Sequence, residues 1–181
     1  MNHKRVLVIS DCHFPFAHKD WYNFLSKLKS KYRPTSVIHI GDEADMHSIN
    51  VNHVIDPDLP SPKDEYELAK KDIQKLYKLF PKMTILESNH GSMVYRRAIA
   101  KGMTRSFIKS YNQIWDVGKG WEWKEKHFIN TDKGRVLFGH YFCADIGKAV
   151  AQYSMSVVQG HAHTRSEIKF VGNDFHLNFG M

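Results

Sequence analysis

The stretch Val6-Leu7-Val8-Ile9-Ser10-Asp11-Cys12-His13 joins a short apolar run to an Asp-x-His motif. An apolar run of this length is typical of a buried strand, and the polar residues after it indicate a loop. The same arrangement recurs four more times. Mainly apolar runs lie at 37–40, 83–86, 136–138 and 155–158, and the motifs that follow them are Gly41-Asp42, Asn89-His90, Gly139-His140 and Gly160-His161-Ala162-His163.

These five loops together predict a single site. In an open α/β sheet, the loops at the carboxyl ends of the strands meet in one crevice. Each motif alone is a weak signal, because short polar pairs and helix caps are common at strand ends. Five motifs in the same strand-then-loop setting predict a site for two divalent metal ions. Imidazole, carboxylate and amide donors favour Mn²⁺ over Mg²⁺, with Fe, Zn²⁺ and Ni²⁺ as alternatives.

The rest of the chain predicts an α/β fold in one domain that spans residues 1–181. Its first half alternates strands with helices, whereas its second half is mostly strands with one helix at 145–153. Two sheets that pack face to face, with helices outside, would satisfy this pattern. The predicted strands are 4–10, 36–40, 83–87, 121–124 and 165–170, the hairpin turn is 171–174, and the helices of the first half are 19–31, 62–80 and 92–101; residues 102–120 receive no assignment.

The composition is typical of a soluble globular protein, with 42% hydrophobic and 25% charged residues among 181. No apolar run reaches the length of a membrane-spanning helix, and no signal-peptide pattern opens the chain. We therefore predict a cytoplasmic protein without a membrane partner. Cys12 and Cys143 have neither the spacing of a zinc site nor an oxidising context, so no disulfide is expected.

The net charge of +7 is concentrated in one segment. Residues 91–115 contain no Asp or Glu but five cations, and the segment begins directly after His90. Basic charge beside a pocket suits a phosphate-rich ligand, although a solvated helix face would have the same composition. Because the segment adjoins His90, we favour contact with substrate and take Arg96 and Arg97 as the candidate phosphate-binding residues.

In order along the chain, the motifs resemble those of the calcineurin-like metallophosphoesterases. That family carries D-x-H, G-D-x-x-D, G-N-H-[DE], a lone His and G-H-x-H, and the resemblance covers nearly the whole chain. It implies a four-layer αββα sandwich of two mixed sheets, with the metal site at the carboxyl edge of the strands. The segment 10–16 resembles small phage and bacterial members. A phage-encoded protein would act in the host cytoplasm.

The resemblance also implies a role for each motif residue. His90 would protonate the leaving oxygen, and Asp45 would orient His90. Asp42 would bridge the two metal ions. The other six ligands would be Asp11, His13 and His163 for the first ion, and Asn89, His140 and His161 for the second.

The chain departs from the family pattern around His90. Ser88 stands where the family has Gly, and Gly91 stands where it has an acidic residue. Protein Ser/Thr phosphatases of the family typically carry Arg at the positions of Glu87 and Met46. Their absence here disfavours a phosphoprotein phosphatase.

The function implied is hydrolysis of a phosphodiester, in a nucleotide or a nucleic acid, by attack of a metal-bridging hydroxide. A phosphomonoesterase that acts on a small metabolite or nucleotide is the alternative. A third hypothesis is a binding scaffold, because the family includes a retromer subunit that uses this fold for protein contacts. Such scaffolds tend to lose the histidine after Asn, and His90 is present here. The sequence leaves the substrate and the oligomeric state open.

Overall fold

The computed structural model describes residues 4–50, 56–172 and 174–178. Within these ranges the chain forms nine strands and five helices. In order they are β1 (Val6–Ile9), α1 (Trp21–Tyr32), β2 (Ser36–His39), α2 (Pro62–Leu79), β3 (Met83–Leu86), α3 (Met93–Ala100), α4 (Tyr111–Trp115), β4 (Trp121–Lys124), β5 (His127–Thr131), β6 (Gly134–Phe138), α5 (Ile146–Tyr153), β7 (Ser156–Gln159), β8 (Glu167–Val171) and β9 (Asp174–Asn178). Short 3-10 turns lie at His47–Ile49 and Arg105–Phe107.

The strands form two sheets of different kinds. The first has the order β1-β2-β3-β4, and all of its pairs are parallel. The prediction of two mixed sheets is therefore wrong for this sheet. Its strands are parallel because helices connect them, and each helical crossover returns the chain to the same edge. The second sheet, β5-β6-β7-β9-β8, is mixed, with antiparallel pairs β5/β6 and β8/β9 and parallel pairs β6/β7 and β7/β9.

The helix boundaries follow local chemistry. Helix α2 begins after Ser61, whose hydroxyl accepts a hydrogen bond from the backbone N–H of Asp64 at 3.3 Å, and Pro62 occupies its first turn. Helix α4 falls in the segment that received no prediction. A capping box between Ser110 and Gln113 starts it. Five residues are too few to show a helical period, so only the cap marks this helix in the sequence.

The hairpin predicted at 171–174 joins β8 and β9, where Val171 pairs with Asp174. Asn173, in the turn itself, lies outside the described residues. Trp121 is 1% exposed and packs against Trp123.

Among the described residues, three apolar clusters hold the elements together. The largest joins helices α1 and α2 to the first sheet through residues such as Leu25, Ile73 and Ile85. A second is shared by both sheets and includes Ile38, Leu86, Phe138 and Val158. A third joins Ala149 and Val150 of α5 to Leu137 and Val157 of the second sheet. Alternate residues of β2 and β3 enter different clusters, so both faces of the first sheet are covered.

None of the helices described in residues 4–50 and 56–172 is long and apolar enough to cross a membrane.

Candidate metal centre

The five polar motifs meet where β1, β2, β3, β6 and β7 end. Beyond β1 and β2, the two loops continue side by side through backbone hydrogen bonds. The N–H of Asp11 donates to the carbonyl of Gly41 at 3.0 Å, and the N–H of His13 donates to that of Asp42 at 2.9 Å. The loops therefore present Asp11, His13 and Asp42 to one space.

One group of potential ligands comprises Asp11, His13, Asp42 and His163. Nε2 of His163 lies 3.3 Å from Oδ1 of Asp11 and 3.2 Å from Nε2 of His13. Nε2 of His13 lies 3.6 Å from Oδ2 of Asp42. The ligands predicted for the first ion are thus together, with the predicted bridging residue beside them.

A second group surrounds Nε2 of His140. This atom lies 3.2 Å from Oδ2 of Asp42, 2.8 Å from Oδ1 of Asn89 and 3.1 Å from Nδ1 of His161. Asp42 belongs to both groups through the same oxygen, Oδ2. A carboxylate in this position can bridge two cations.

The potential ligand atoms of the second group suit a cation. Nδ1 of His140 is 3.0 Å from the carbonyl oxygen of Ile40, so in the neutral ring Nδ1 carries the proton and donates it there. The lone pair on Nε2 of the neutral ring then faces the acceptor atoms of Asp42 and Asn89. These acceptors repel one another unless a proton on Nε2 or a divalent cation lies between them.

The pKa values of the group reflect the same electrostatics. Burial by itself lowers the pKa of His140, but hydrogen bonding to Asp42 and the charge of Asp11 outweigh it, so the pKa is raised. Burial also opposes a charged His13, yet the carboxylates of Asp45 and Asp42 raise its pKa. The pKa of His161 is lowered by burial and by the neighbouring His140.

Burial would raise the pKa of Asp42, but its hydrogen bond to His140 and its hydrogen bond with Ser88 hold that pKa well below its usual range. Asp42 is 1% exposed. It is therefore a buried carboxylate that stays ionised, as a metal bridge requires.

His90 and Asp45 lie beside the first group. Nδ1 of His90 contacts the backbone carbonyl oxygen of Asp45, and it lies 3.6 Å from Oδ1 of the same residue. Oδ1 of Asp45 is nearer to His13, at 2.6 Å from its Nδ1. The carboxylate that was expected to orient His90 thus has His13 as its closer partner.

Left-handed backbone is concentrated in these loops. Positive φ angles occur at Asp11 (50°), His13 (46°), Asp42 (54°), Met46 (55°) and His161 (70°). Each such non-glycine residue costs about 1–3 kcal/mol in local strain unless a side chain compensates, and such strain clusters at functional sites. The loops are therefore held in shape by their surroundings.

Two contacts show how tightly the loops are packed. Gly41 has a φ of +103°, and a methyl group there would lie 2.6 Å from Cβ of Ser88 and 2.8 Å from Nδ1 of His140. The N–H of His161 donates to the carboxylate of Asp11 at 3.0 Å from Oδ1. This hydrogen bond ties together loops that are 150 residues apart in the chain.

Three residues support the site although the motifs did not assign them roles. Ser88 accepts hydrogen bonds from the N–H groups of Asp42 (2.8 Å) and Gly91 (3.1 Å), so the departure from Gly has a structural use. Glu43 is 1% exposed, and its carboxylate lies against Gly91.

Glu65 of α2 accepts from the N–H groups of His47 (2.7 Å) and Ser48 (2.8 Å), directly after the Asp45 loop. No sequence motif marks Glu43 or Glu65 as a supporting residue. Their partners are distant in the sequence, and the contacts form only when the loops have folded.

The two candidate phosphate-binding arginines lie in different surroundings. The guanidinium of Arg96 donates to the carbonyl of Asn89 at 3.3 Å and lines a cleft that reaches His140. The guanidinium of Arg97 is directed to the carbonyl of Asn50, at 3.5 Å. Only Arg96 of this pair borders that cleft.

The chain shares its fold with solved phosphoesterases. It is similar to Vps29 of Chaetomium thermophilum, with a TM-score of 0.54 and 11% identity over 98% of this chain and 71% of that one. For the phosphoesterase YfcE of E. coli the TM-score is 0.54 and the identity is 13%, over 96% of this chain and 77% of that one. For an archaeal phosphodiesterase the TM-score is 0.53 and the identity is 13%, over 97% of this chain and 82% of that one. No protein-family model matches the sequence, and no relative was found among curated proteins.

At these identities the likeness establishes the fold alone. The similar folds include phosphoesterases, and this chain has a cluster of His and Asp side chains suited to a divalent metal where its strands end. A shared fold by itself does not establish catalysis. The chemistry must be argued from the side chains.

Proposed function

We propose that the protein is a metal-dependent phosphoesterase of the calcineurin-like metallophosphoesterase family, of the small phage and bacterial type, and that it hydrolyses a phosphodiester in a nucleotide or nucleic acid. The observation that carries the proposal is the convergence of acceptor atoms around Oδ2 of Asp42, with His90 alongside. The three apolar clusters support a four-layer αββα arrangement as one domain, 1–181.

Seven residues would hold two divalent ions, for which we favour Mn²⁺. Asp42 would bridge them, and the other six would be Asp11, His13, His163, Asn89, His140 and His161. When bound, the ions supply positive charge to the phosphate and lower the pKa of a water molecule that serves as the nucleophile. The buried, ionised state of Asp42 supports the bridging role.

His90 would act as the general acid. In the reaction, an oxygen atom of water forms a new bond to phosphorus, and the bond from phosphorus to the leaving ester oxygen breaks. The leaving oxygen takes a proton from Nε2 of His90, which enters the step doubly protonated, and the proton that the water molecule loses passes to solvent. Because Nδ1 of His90 is engaged by the carbonyl oxygen of Asp45, Nε2 is the atom that remains for the substrate.

Arg96 would contact a phosphate oxygen, since it borders the cleft that reaches His140. Arg97, directed to Asn50, has weaker support. A monoesterase is the second candidate, because the ligand set suits both ester classes. A binding scaffold is the third candidate, because the same fold can serve binding without catalysis.

The test is hydrolysis of bis-p-nitrophenyl phosphate and of p-nitrophenyl phosphate, each with Mn²⁺ and with chelator. We expect diester cleavage that requires metal. In His90→Ala, cleavage of thymidylyl-thymidine should fall by about 10²–10⁴-fold, because its alkoxide leaving group needs a proton. Cleavage of the p-nitrophenyl diester should fall less, because p-nitrophenolate leaves without a proton, and the metal content should stay unchanged. Cleavage of the monoester alone would favour the second candidate. Metal binding without any turnover would favour the scaffold.

A further inference from the structure

Two clefts open on either side of His161 and Tyr141. The Arg96 cleft has a volume of about 460 Å³ and includes Asn89, Arg96, Lys126, His140 and Phe142. The Arg165 cleft has a volume of about 340 Å³ and includes Gln159, His163, Thr164 and Arg165. His161 and Tyr141 line both clefts, and each cleft reaches at least one further candidate metal ligand. The candidate metal centre is therefore approached from two directions.

Tyr141 forms the wall between the clefts. Its ring centroid lies 4.6 Å from that of His161 with an interplanar angle of 49°, and the residue is still 47% exposed. A single exposed aromatic residue on a protein surface is ordinary. Tyr141 differs because its ring is held against a candidate metal ligand and borders both clefts. An aromatic surface in this position can stack with a nucleobase.

The Arg96 cleft has the charges that suit a nucleotide. Arg96 and Lys126 line it together with Glu87 and Glu125. Glu87 is paired with Arg105, whose Nη2 lies 3.2 Å from Oε1 of Glu87. This pairing reduces the negative charge of the cleft, so the two cations can contact phosphate oxygens near the aromatic ring.

We propose that the substrate is a phosphodiester with a nucleoside group in the Arg96 cleft and its second ester group in the Arg165 cleft. Tyr141 is then a specificity-determining residue that stacks with the base. This inference rests on the proposed phosphoesterase function. A monoester would occupy only one of the two clefts, whereas a diester at the metal centre has a substituent for each.

The test compares two diesters that release the same p-nitrophenolate group, thymidine 5′-(p-nitrophenyl phosphate) and methyl p-nitrophenyl phosphate. We expect Tyr141→Ala to lower kcat/KM for the thymidine ester about tenfold more than for the methyl ester, mainly through KM, because only the first has a base to stack. Tyr141→Phe should keep the wild-type preference. Tyr32→Ala removes a similarly exposed tyrosine (53%) from the end of α1 and should change neither rate.

An equal loss on both esters, or no loss on either, would overturn the role of Tyr141 and leave the phosphoesterase proposal intact. If the wild-type protein cleaves neither ester, the phosphodiesterase proposal fails, and a binding measurement then tests the role of Tyr141. Thymidylyl-thymidine would then be titrated into wild-type and Tyr141→Ala protein. Weaker binding by the variant supports the stacking surface, and equal binding overturns it.

Discussion

Oδ1 of Asp45 lies 2.6 Å from Nδ1 of His13, whereas it lies 3.6 Å from Nδ1 of His90. His90 is engaged instead by the backbone carbonyl oxygen of Asp45. One residue thus holds two histidines by different atoms. A carboxylate behind a ligating imidazole fixes the ring and raises its basicity. The side chain of Asp45 therefore relates more closely to metal binding than to the proposed general acid.

This relationship predicts the behaviour of Asp45→Asn. We expect the affinity for Mn²⁺ to fall by about 10–100-fold, because the amide loses the negative charge that supports His13. At saturating Mn²⁺, kcat should fall less than it does in His90→Ala, since the backbone carbonyl still engages His90. Calorimetric titration with Mn²⁺ would measure the affinity. The exposed Asp132→Asn provides a matched control, and an unchanged affinity in Asp45→Asn would refute the argument.

Asp42→Asn tests the proposed bridge. The amide can keep the hydrogen bond that Oδ1 accepts from the N–H of His90 at 3.1 Å, so the fold should persist. Loss of the charge near both His13 and His140 should release at least one of the two ions. Elemental analysis after dialysis measures the metal content, and circular dichroism checks folding. A folded variant with wild-type metal content would disprove the bridging role.

A side chain at position 91 would conflict with Glu43. A methyl group at position 91 would lie 2.9 Å from Oγ of Ser88 and 3.0 Å from Oε2 of Glu43. We expect Gly91→Ala to reduce the free energy of unfolding by about 1–3 kcal/mol, as overpacking of a filled space does. Urea denaturation would measure this change. Gly147→Ala in α5 is the control, because the nearest atom that the described residues place beside a methyl group there is Oδ1 of Asp145, at 3.7 Å.

Combining Gly91→Ala with Glu43→Ala separates this contact from other effects. The double variant should lose less free energy of unfolding than the sum of the two single losses, by at least about 0.5 kcal/mol. The reason is that Glu43→Ala removes the carboxylate with which the methyl group of Gly91→Ala would clash. Additive costs would mean that Glu43 is not the residue that requires glycine at position 91.

Glu65 should support the Asp45 loop from α2. Glu65→Ala leaves the N–H groups of His47 and Ser48 without an acceptor. We expect a loss of about 1–3 kcal/mol in unfolding free energy, together with weaker Mn²⁺ binding because Asp45 is displaced. Glu65→Gln retains one acceptor oxygen and should recover part of both. Equal metal affinity in wild type and Glu65→Ala would show that the loop holds its shape without this residue.

The raised pKa values of His13 and His140 predict a pH dependence with two opposite signs. In the metal-free protein the folded state binds these protons more tightly than the unfolded chain does. The stabilisation is therefore complete below their ordinary pKa of 6.5 and is lost as the pH rises through the raised values. Metal binding requires both histidines to be neutral, so the affinity for Mn²⁺ should increase over the same pH range.

Mn²⁺ binding should release protons from these histidines. The number released is measured by titration calorimetry in two buffers of different ionisation enthalpy. Release should be largest below the raised pKa values of His13 and His140 and should diminish as the pH rises through them. Metal affinity that stays constant from about pH 6 to 8 would contradict the raised pKa values. Urea-induced unfolding of the metal-free protein, measured over the same pH range, should show that the free energy of unfolding contributed by these histidines decreases as the pH rises.

Much of the arrangement follows from local pattern. Five apolar runs, each followed by a polar motif, indicated where strands end and which side chains enter one crevice. The helix predicted at 62–80 is observed as α2, Pro62–Leu79, because its apolar stripe is a local property of the sequence. The parallel order of the first sheet was missed, although its alternating helices and strands already required crossover connections.

The sequence by itself therefore determined the strand-and-loop framework and the set of residues at its edge, since periodicity and capping are short-range properties of the chain. Only the tertiary structure decided which atoms meet. Asp45 contacts His13 across 32 positions, Ser88 receives the N–H of Asp42 across 46, and His161 donates to Asp11 across 150. Such contacts depend on side-chain direction and loop conformation after the sheets have packed, and no local pattern encodes those.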